Sequence, residues 1–301
     1  MNPSKRLFLH PLFILGLVVR VVLIFGLAPL AVVHWYGPFL DASAKFLSLD
    51  PWSSWLAQGG SIAAFPYGHA MWAAFLPLTV LSQLLGGGGE FAYALTLLIS
   101  DLLLLIVLNR MLPQRVTLLL AVYWLSPIVI VATYGLGLND LIPVLLLTLS
   151  IFCIKTHNFC WAGTFCAAAI SAKLSMLIAL PFFFIYLYNN RALRQNLPGF
   201  FLGFAAAGVL LIGPFAFSPG GIGMLMSNPE MRTIYVFTLN LGGATMIYIV
   251  PLVYLLMVHY AWQVRRLNFE LFQDITGLAF LTVIFMTPAS PGWFVWMVPF
   301  L

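Results

Sequence analysis

Two carboxylates stand close together in a chain that carries few charges: Asp41, in Phe39-Leu-Asp-Ala-Ser-Ala, and Asp50, in Asp50-Pro-Trp-Ser-Ser-Trp55. A carboxylate beside aromatic residues can strip a proton from an acceptor hydroxyl. Two together can hold a divalent cation against a phosphate. Both also have a plainer reading as caps of short interfacial helices. Asp50 followed by Pro51 is a strong helix start, with a side-chain cap and Pro at the first helical position. The stretch ends in Phe65-Pro-Tyr-Gly-His69, and His69 joins the residues that could contact a substrate.

Further polar residues sit where apolar sequence surrounds them. Tyr134-Gly-Leu-Gly-Leu-Asn139-Asp140 reads as a Gly/Asn/Asp turn, or as Asn139 and Asp140 facing the same aqueous cavity as Asp41. Arg20, Asp101 and Lys173 fall inside apolar runs, where ionisable groups are costly and mark function or a buried partner. An Asp101–Lys173 pair would hold two helices together; a substrate phosphate would instead leave Lys173 free of Asp101. Arg232, in Asn228-Pro-Glu-Met-Arg232, could clamp a phosphate or simply be solvated. No phosphate loop, dinucleotide fingerprint, zinc spacing or nucleophile elbow is present. Cys153, Cys160 and Cys166 fit no metal spacing and read as small apolar packing residues.

The elements that must position these groups follow from composition. Of 301 residues, 62% are hydrophobic and 7% charged, against about 25% charged in a soluble domain. The expected fold is a single all-α, polytopic transmembrane bundle of about eight to ten spans. Apolar runs lie near 12–33, 69–85, 91–109, 116–134, 141–154, 160–188, 199–218, 244–262 and 271–287, with a last piece, 293–301, that stops mid-run and raises the possibility of a truncated C-terminus. The first run reads as a retained span rather than a cleaved signal. Run 160–188 is too long for one upright helix and reads as two helices meeting at Lys173. The first outer loop, 34–68, carries interfacial helices, and a later outer loop, 219–243, could cover a cavity.

Charge placement gives a topology. With the N-terminus, 110–115, 155–159, 189–198 and 263–269 on the cytoplasmic side, Lys5, Arg6, Arg110, Arg115, Lys155, Arg191, Arg194, Arg265 and Arg266 share that side, nine of the thirteen basic residues. This is the positive-inside pattern. It requires either a re-entrant or broken helix at 69–85, with Pro77 and Gly86 to Gly89, or Arg110 and Arg115 on the outside. The net charge of +5 is spread over short loops and is no nucleic-acid signal.

The pattern of a first span, an outer loop with an early Asp41, and Phe65-Pro-Tyr-Gly before the next span resembles the GT-C superfamily of multi-span glycosyltransferases. Trp124-Leu-Ser126-Pro127, then Gly135-Leu-Gly-Leu-Asn139-Asp140, resembles their Trp/Asn-Pro and Gly-x-x-Asp passage. Lys173 before Pro181, and Ser290-Pro-Gly-Trp293-Phe-Val-Trp296-Met-Val-Pro299, resemble later segments. Here Ser126 stands for the usual Asn, and no tight Asp-x-Asp pair occurs. The resemblance implies inverting transfer of a sugar, mannose in the nearest members, from a polyprenyl-phosphate donor to an acceptor hydroxyl. It casts Asp41 as the base, with Asp50 the other catalytic candidate from the loop itself, and Arg20, Lys173 or Arg232 as the phosphate partner. A divalent cation is compatible but not required. Membrane lipids are the other expected partner, and a bacterial inner membrane is preferred because no retention signal ends the chain.

Two other classes fit the same residues. A transporter or flippase for a lipid or small polar solute would use Asp101, Lys173 and Arg20 at membrane depth with broken helices. A non-catalytic subunit of a membrane complex would need few ionisable groups.

Overall fold

The computed structural model describes residues 7–243, 245–265 and 267–300. Lys5, Arg6 and Arg266, which the topology used, lie outside them, as does Leu301. The described chain is a bundle of helices with one small hairpin. The principal helices are α1 Pro11–Gly26, α2 Gly37–Lys45, α3 Pro51–Ala57, α4 His69–Leu84, α5 Gly89–Met111, the bent pair α6 Val116–Trp124 and α7 Pro127–Gly135, α8 Leu141–Lys155, α9 Phe159–Ala172, α10 Leu180–Asn189, α11 Leu197–Leu211, α12 Pro219–Ser227, α13 Ile249–Gln263 and α14 Phe269–Met286.

Two of these, α5 and α14, are long and apolar enough to cross a membrane, and the pair α6–α7, bent by 47°, would make a third. The other apolar helices are shorter because the chain interrupts them. Run 12–33 ends its helix at Gly26, and Pro29 lies in the break before the π-helical turn Val32–Tyr36. Run 160–188 divides where expected: Lys173 is extended, at φ −150° and ψ 121°, between α9 and the 3-10 turn Leu174–Ala179 that leads into α10. Run 69–85 is one continuous helix that carries Pro77 inside it. At 16 residues it is roughly 24 Å long, short of the roughly 30 Å hydrocarbon layer.

The all-α expectation needs one correction. Segment 219–243, expected as an outer loop, holds α12, a 3-10 turn Pro229–Tyr235 and the strand β1 Thr238–Asn240, which pairs antiparallel with β2 Met246–Tyr248. Within the run at 244–262, Met246–Tyr248 is therefore strand, and the helix begins only at Ile249. Asn240 and Gly242–Gly243, with positive φ at both glycines, make the tight reversal.

Small residues set the closest packing. A Cβ on Gly163 of α9 would lie 1.9 Å from the Phe200 carbonyl oxygen of α11, and one on Gly203 would lie 1.9 Å from the Cys160 carbonyl oxygen. The two backbones touch through paired glycines, which is how apolar helices associate when hydrophobic burial alone cannot drive them. On its other side α9 meets α8, where the Ser150 hydroxyl donates to the Ala162 carbonyl at 2.7 Å.

The loop between α1 and α4 docks on this core through aromatics. Phe39 stacks on Phe65 at 4.7 Å, and the Trp52 indole N–H donates to the Phe65 carbonyl at 3.0 Å. Gly68 N–H then donates to the Ser171 carbonyl at 3.0 Å, an approach so close that a Cβ would sit 2.4 Å from that oxygen. Phe65-Pro-Tyr-Gly is thus fastened to the end of α9, two residues before Lys173.

Candidate functional site

The break after α9 leaves Lys173 on a cavity wall rather than on a helix face. Its ammonium lies 2.7 Å from Asp140 Oδ1, and both side chains are buried. Asp140 opens α8 from the turn behind it, in which Gly137 takes φ +70°. The 3-10 turn Pro291–Phe300 lies over the pair. There the Trp296 indole N–H donates to the same Asp140 oxygen at 2.6 Å, and Gly292 sits so close that a Cβ would meet Oδ2 at 2.2 Å. Lys173 Nζ is also 5.8 Å from the Tyr67 ring centroid and 5.5 Å from that of Trp296. Burial above all, and then the charge of Asp140, push the Tyr67 phenol above its ordinary value, so it stays a protonated donor.

Four stretches far apart in sequence meet here: Phe65-Pro-Tyr-Gly68, Asn139-Asp140, Lys173 and Trp293 to Trp296. Tyr67, Lys173, Trp293 and Trp296 line a cavity of about 430 Å³, to which Asp140 is tied through Lys173 and Trp296. Its lining includes the polar Lys173, Ser175, Asn228 and Glu230 and the indole of Trp293, together with Leu177, Ile178, Ile234, Val250, Tyr254 and Val283. The Ser175 hydroxyl and the Trp293 indole N–H are buried and have no hydrogen-bond partner. Each such group is worth about 1–3 kcal/mol of desolvation until a partner arrives. Fully buried Asn139, behind Asp140, leaves both amide atoms unpartnered as well.

Arg20 lies elsewhere. It is fully buried, donates to Asp101 Oδ2 at 2.7 Å and to the Trp124 carbonyl at 2.7 Å, and stacks 3.6 Å over the Trp124 ring. Tyr123 and Tyr134 donate to Asp101, Tyr134 at 2.8 Å. The Asp101–Lys173 pair of the sequence reading is therefore replaced by two pairs, Arg20–Asp101 and Lys173–Asp140. Charge counting along the chain cannot choose between such pairings, because helix packing decides which acid each base meets.

The carboxylates of the first loop are also placed apart from the cavity. Asp41 Oδ1 accepts from Gln83 Nε2 at 3.1 Å and lies against Gly89, the first residue of α5. That position suits a negative charge at a helix N-terminus. None of Asp41, Asn139 and Asp140 is among the residues lining the cavity, and Asp41 and Asp140 have separate partners, Gln83 for the first and Lys173 with Trp296 for the second. Asp50 caps α3, accepting from Ser53 N–H at 3.1 Å, and it also accepts from the Ser218 hydroxyl at 2.6 Å. Ser218 in turn caps α12 through Gly221 N–H at 2.8 Å, and Gly220 N–H donates to the Ser53 hydroxyl at 3.0 Å. Burial disfavours the charged Asp50, but the Ser218 and Ser53 hydrogen bonds outweigh it and hold the carboxyl below its ordinary value. His69 bonds the Leu49 carbonyl at 2.9 Å through Nε2, against Trp52. Arg232 is exposed and not among the cavity's lining residues, whereas its neighbours Glu230 and Met231 are.

A second cavity, about 320 Å³, opens at the break after α1, with Glu90 as its only charged lining residue. Among the described residues no group of three His, Cys, Asp or Glu side chains gathers as metal ligands. Sequence reasoning reached Asp140 and Lys173 but passed over Glu230, Ser175 and the indole of Trp293. In the sequence Glu230 is one loop acid among several, and the signal that marks it is its place directly after Asn228-Pro229 in a loop able to cover a cavity.

The site is thus a cavity lined mainly by apolar side chains, with a few polar ones that include the buried Lys173, inside a helical bundle. No family model, curated protein or solved structure matches this chain.

Proposed function

We propose that this chain is a multi-pass membrane glycosyltransferase that moves a sugar from a lipid-phosphate donor to a hydroxyl of an amphiphilic acceptor. The observation that carries the reading is the cavity: about 430 Å³, walled mainly by aliphatic and aromatic side chains, with the buried Lys173 among its few polar lining residues. A site of this kind buries an apolar chain and orients a head group through a few fixed polar atoms. The multi-pass reading is supported by large apolar side chains exposed on helices that are too short by themselves to count as spans. Val22 and Phe25 on α1, Leu202 and Leu210 on α11, and Leu255 on α13 are all exposed. Such area favours a lipid face over water. The inverting chemistry of the resemblance needs a base at the acceptor hydroxyl and no strong acid, because a phosphate leaves well.

The test is transfer or hydrolysis of radiolabelled polyprenyl-phosphate sugars by purified protein in lipid nanodiscs. Sugar transferred to a lipid acceptor would support the reading. A transport reading is favoured by one observation, the buried Arg20–Asp101 pair inside the bundle. No turnover with any lipid-linked donor, together with solute or lipid flux in proteoliposomes, would decide for it.

A further inference from the structure

We infer that the β1–β2 hairpin lies in one leaflet of a bilayer, at the boundary between lipid head groups and acyl chains. The inference rests on the multi-pass membrane reading and not on the sugar-transfer chemistry.

The surface of this hairpin is apolar on every side. Between Arg232 and Arg265 the chain has no Asp, Glu, Lys or Arg. Val236, Phe237, Leu239, Leu241, Met246 and Tyr248 are all exposed, Val236 at 64% and Leu241 at 60%. An antiparallel ribbon with one wetted face turns its apolar side chains to a core and its polar ones outward. Here Leu239 pairs with Ile247 on one face, and Asn240 with Met246 and Thr238 with Tyr248 on the other. Exposed apolar side chains therefore stand on both faces. A folded partner, or a second copy of the chain, would cover one face and leave the other in water. A fluid lipid layer surrounds both. The same surface continues beyond the hairpin: β2 passes directly into α13, where Leu252, Leu255, Leu256 and Tyr260 are exposed.

The backbone fixes the depth. Among the described residues the sheet has two strands, so the outward N–H and C=O groups of each have no neighbouring strand. Open sheet edges do not occur in hydrocarbon, where nothing bonds them, and an isolated two-stranded hairpin is marginal in bulk water. The boundary meets both demands, because water still reaches the edges while the side chains enter the acyl layer. Tyr235 and Tyr248, both exposed with ring centroids 5.3 Å apart, are amphipathic aromatics of the kind that collect at this level. Arg232 is exposed and is the last charge before the apolar stretch; a guanidinium there suits a lipid phosphate.

The placement bears on the cavity. Ile234 and Tyr235 lead into the hairpin, Val250 and Pro251 follow it, and all four line the cavity. A hairpin held at the head-group boundary holds that wall at the depth an amphiphile's own head group takes.

Nitroxide labels on the full chain in phosphatidylcholine–phosphatidylglycerol vesicles test this. Labels go on Phe237→Cys and Leu241→Cys, with Leu255→Cys on α13 as the reference. Each is made in a Cys160→Ser background, since Cys153 and Cys166 are buried. All three replaced side chains are exposed, so the unfolding midpoints should stay at the wild-type value. Collisions with oxygen, which concentrates in lipid, are compared with collisions with a water-soluble nickel chelate. Oxygen should dominate at both hairpin labels, by a smaller ratio than at Leu255→Cys. A hairpin dominated by the nickel chelate while Leu255→Cys favours oxygen overturns the inference and leaves the membrane reading standing. Hairpin labels shielded from both reagents mean a protein contact and overturn it too. A ratio equal to that of Leu255→Cys overturns the boundary depth. Nickel dominance at all three labels overturns the inference and the lipid-facing assignment of α13 together.

Discussion

The Lys173 ammonium and the Asp140 carboxylate meet at 2.7 Å across 33 residues of chain, and Trp296 closes on the same oxygen from a segment 156 residues beyond Asp140. Helix α9 ends at Ala172 and leaves Lys173 extended, so the side chain leaves the helix end and reaches the start of α8. A lysine kept within a helix would be held to that helix's own face.

Breaking this pair should destabilise the bundle sharply. Removing one partner of a buried ion pair strands the other charge and costs about 3–5 kcal/mol, whereas replacing both with apolar side chains of similar volume is often nearly neutral. Lys173→Met and Asp140→Leu should each lower the unfolding midpoint in detergent. The double variant should recover most of the loss of stability. Equal loss in single and double variants would refute the pairing.

Arg20 should not tolerate lysine. Its guanidinium donates at once to Asp101, the Trp124 carbonyl and the Gly16 carbonyl while stacking on Trp124. A lysine ammonium keeps the charge but lacks the planar fork that reaches all of these together. Thermal unfolding of Arg20→Lys should show a loss of about 1–3 kcal/mol, and Arg20→Met a larger one. A neutral Arg20→Lys would mean that charge alone matters there.

Asp50 should contribute a pH-dependent clasp between the two outer segments. Its carboxyl lies below the ordinary value, held there by the Ser218 and Ser53 hydrogen bonds. The stabilisation is therefore full above the unfolded value of about 3.9 and is lost as pH falls through the lower folded value. The midpoint difference between wild type and Asp50→Ala should be flat from neutral pH down to the carboxylate range and shrink in stronger acid. At neutral pH the substitution should cost about 1 kcal/mol, the usual worth of a helix N-cap. A difference that grows in acid would contradict the assignment.

The α9–α11 contact should be the packing least open to substitution. Gly163→Val and Gly203→Val place side-chain atoms where backbone oxygens already lie, so the helices must separate. Both variants should lower expression and unfolding midpoint far more than Gly199→Ala, where nothing lies within 4 Å of the added carbon.

The break at Lys173 and the cap at Asp50 are local matters and are legible in the sequence, whereas the break at Gly26 is not, because run 12–33 is apolar throughout and reads as one span. Asp50-Pro51 capped a helix as its residue types imply, and a 29-residue apolar run had to break near its lysine because a single helix of that length overshoots the hydrocarbon layer. Apolar composition determined a helical bundle with lipid-compatible faces, since backbone groups in an apolar medium must be bonded within their own segment. The hairpin at Thr238 to Tyr248 escaped this reading, because an apolar run of uniform hydropathy has the same composition whether it starts as strand or as helix. What only the tertiary structure decided was pairing. Arg20 with Asp101, Lys173 with Asp140, Asp50 with Ser218, and Glu230 on the cavity wall each join residues from different helices or loops. No spacing along the chain encodes those meetings. They follow from which helix faces touch, and that is settled by the close approach of small residues such as Gly163 and Gly203 and by the requirement that every buried charge find its counter-charge.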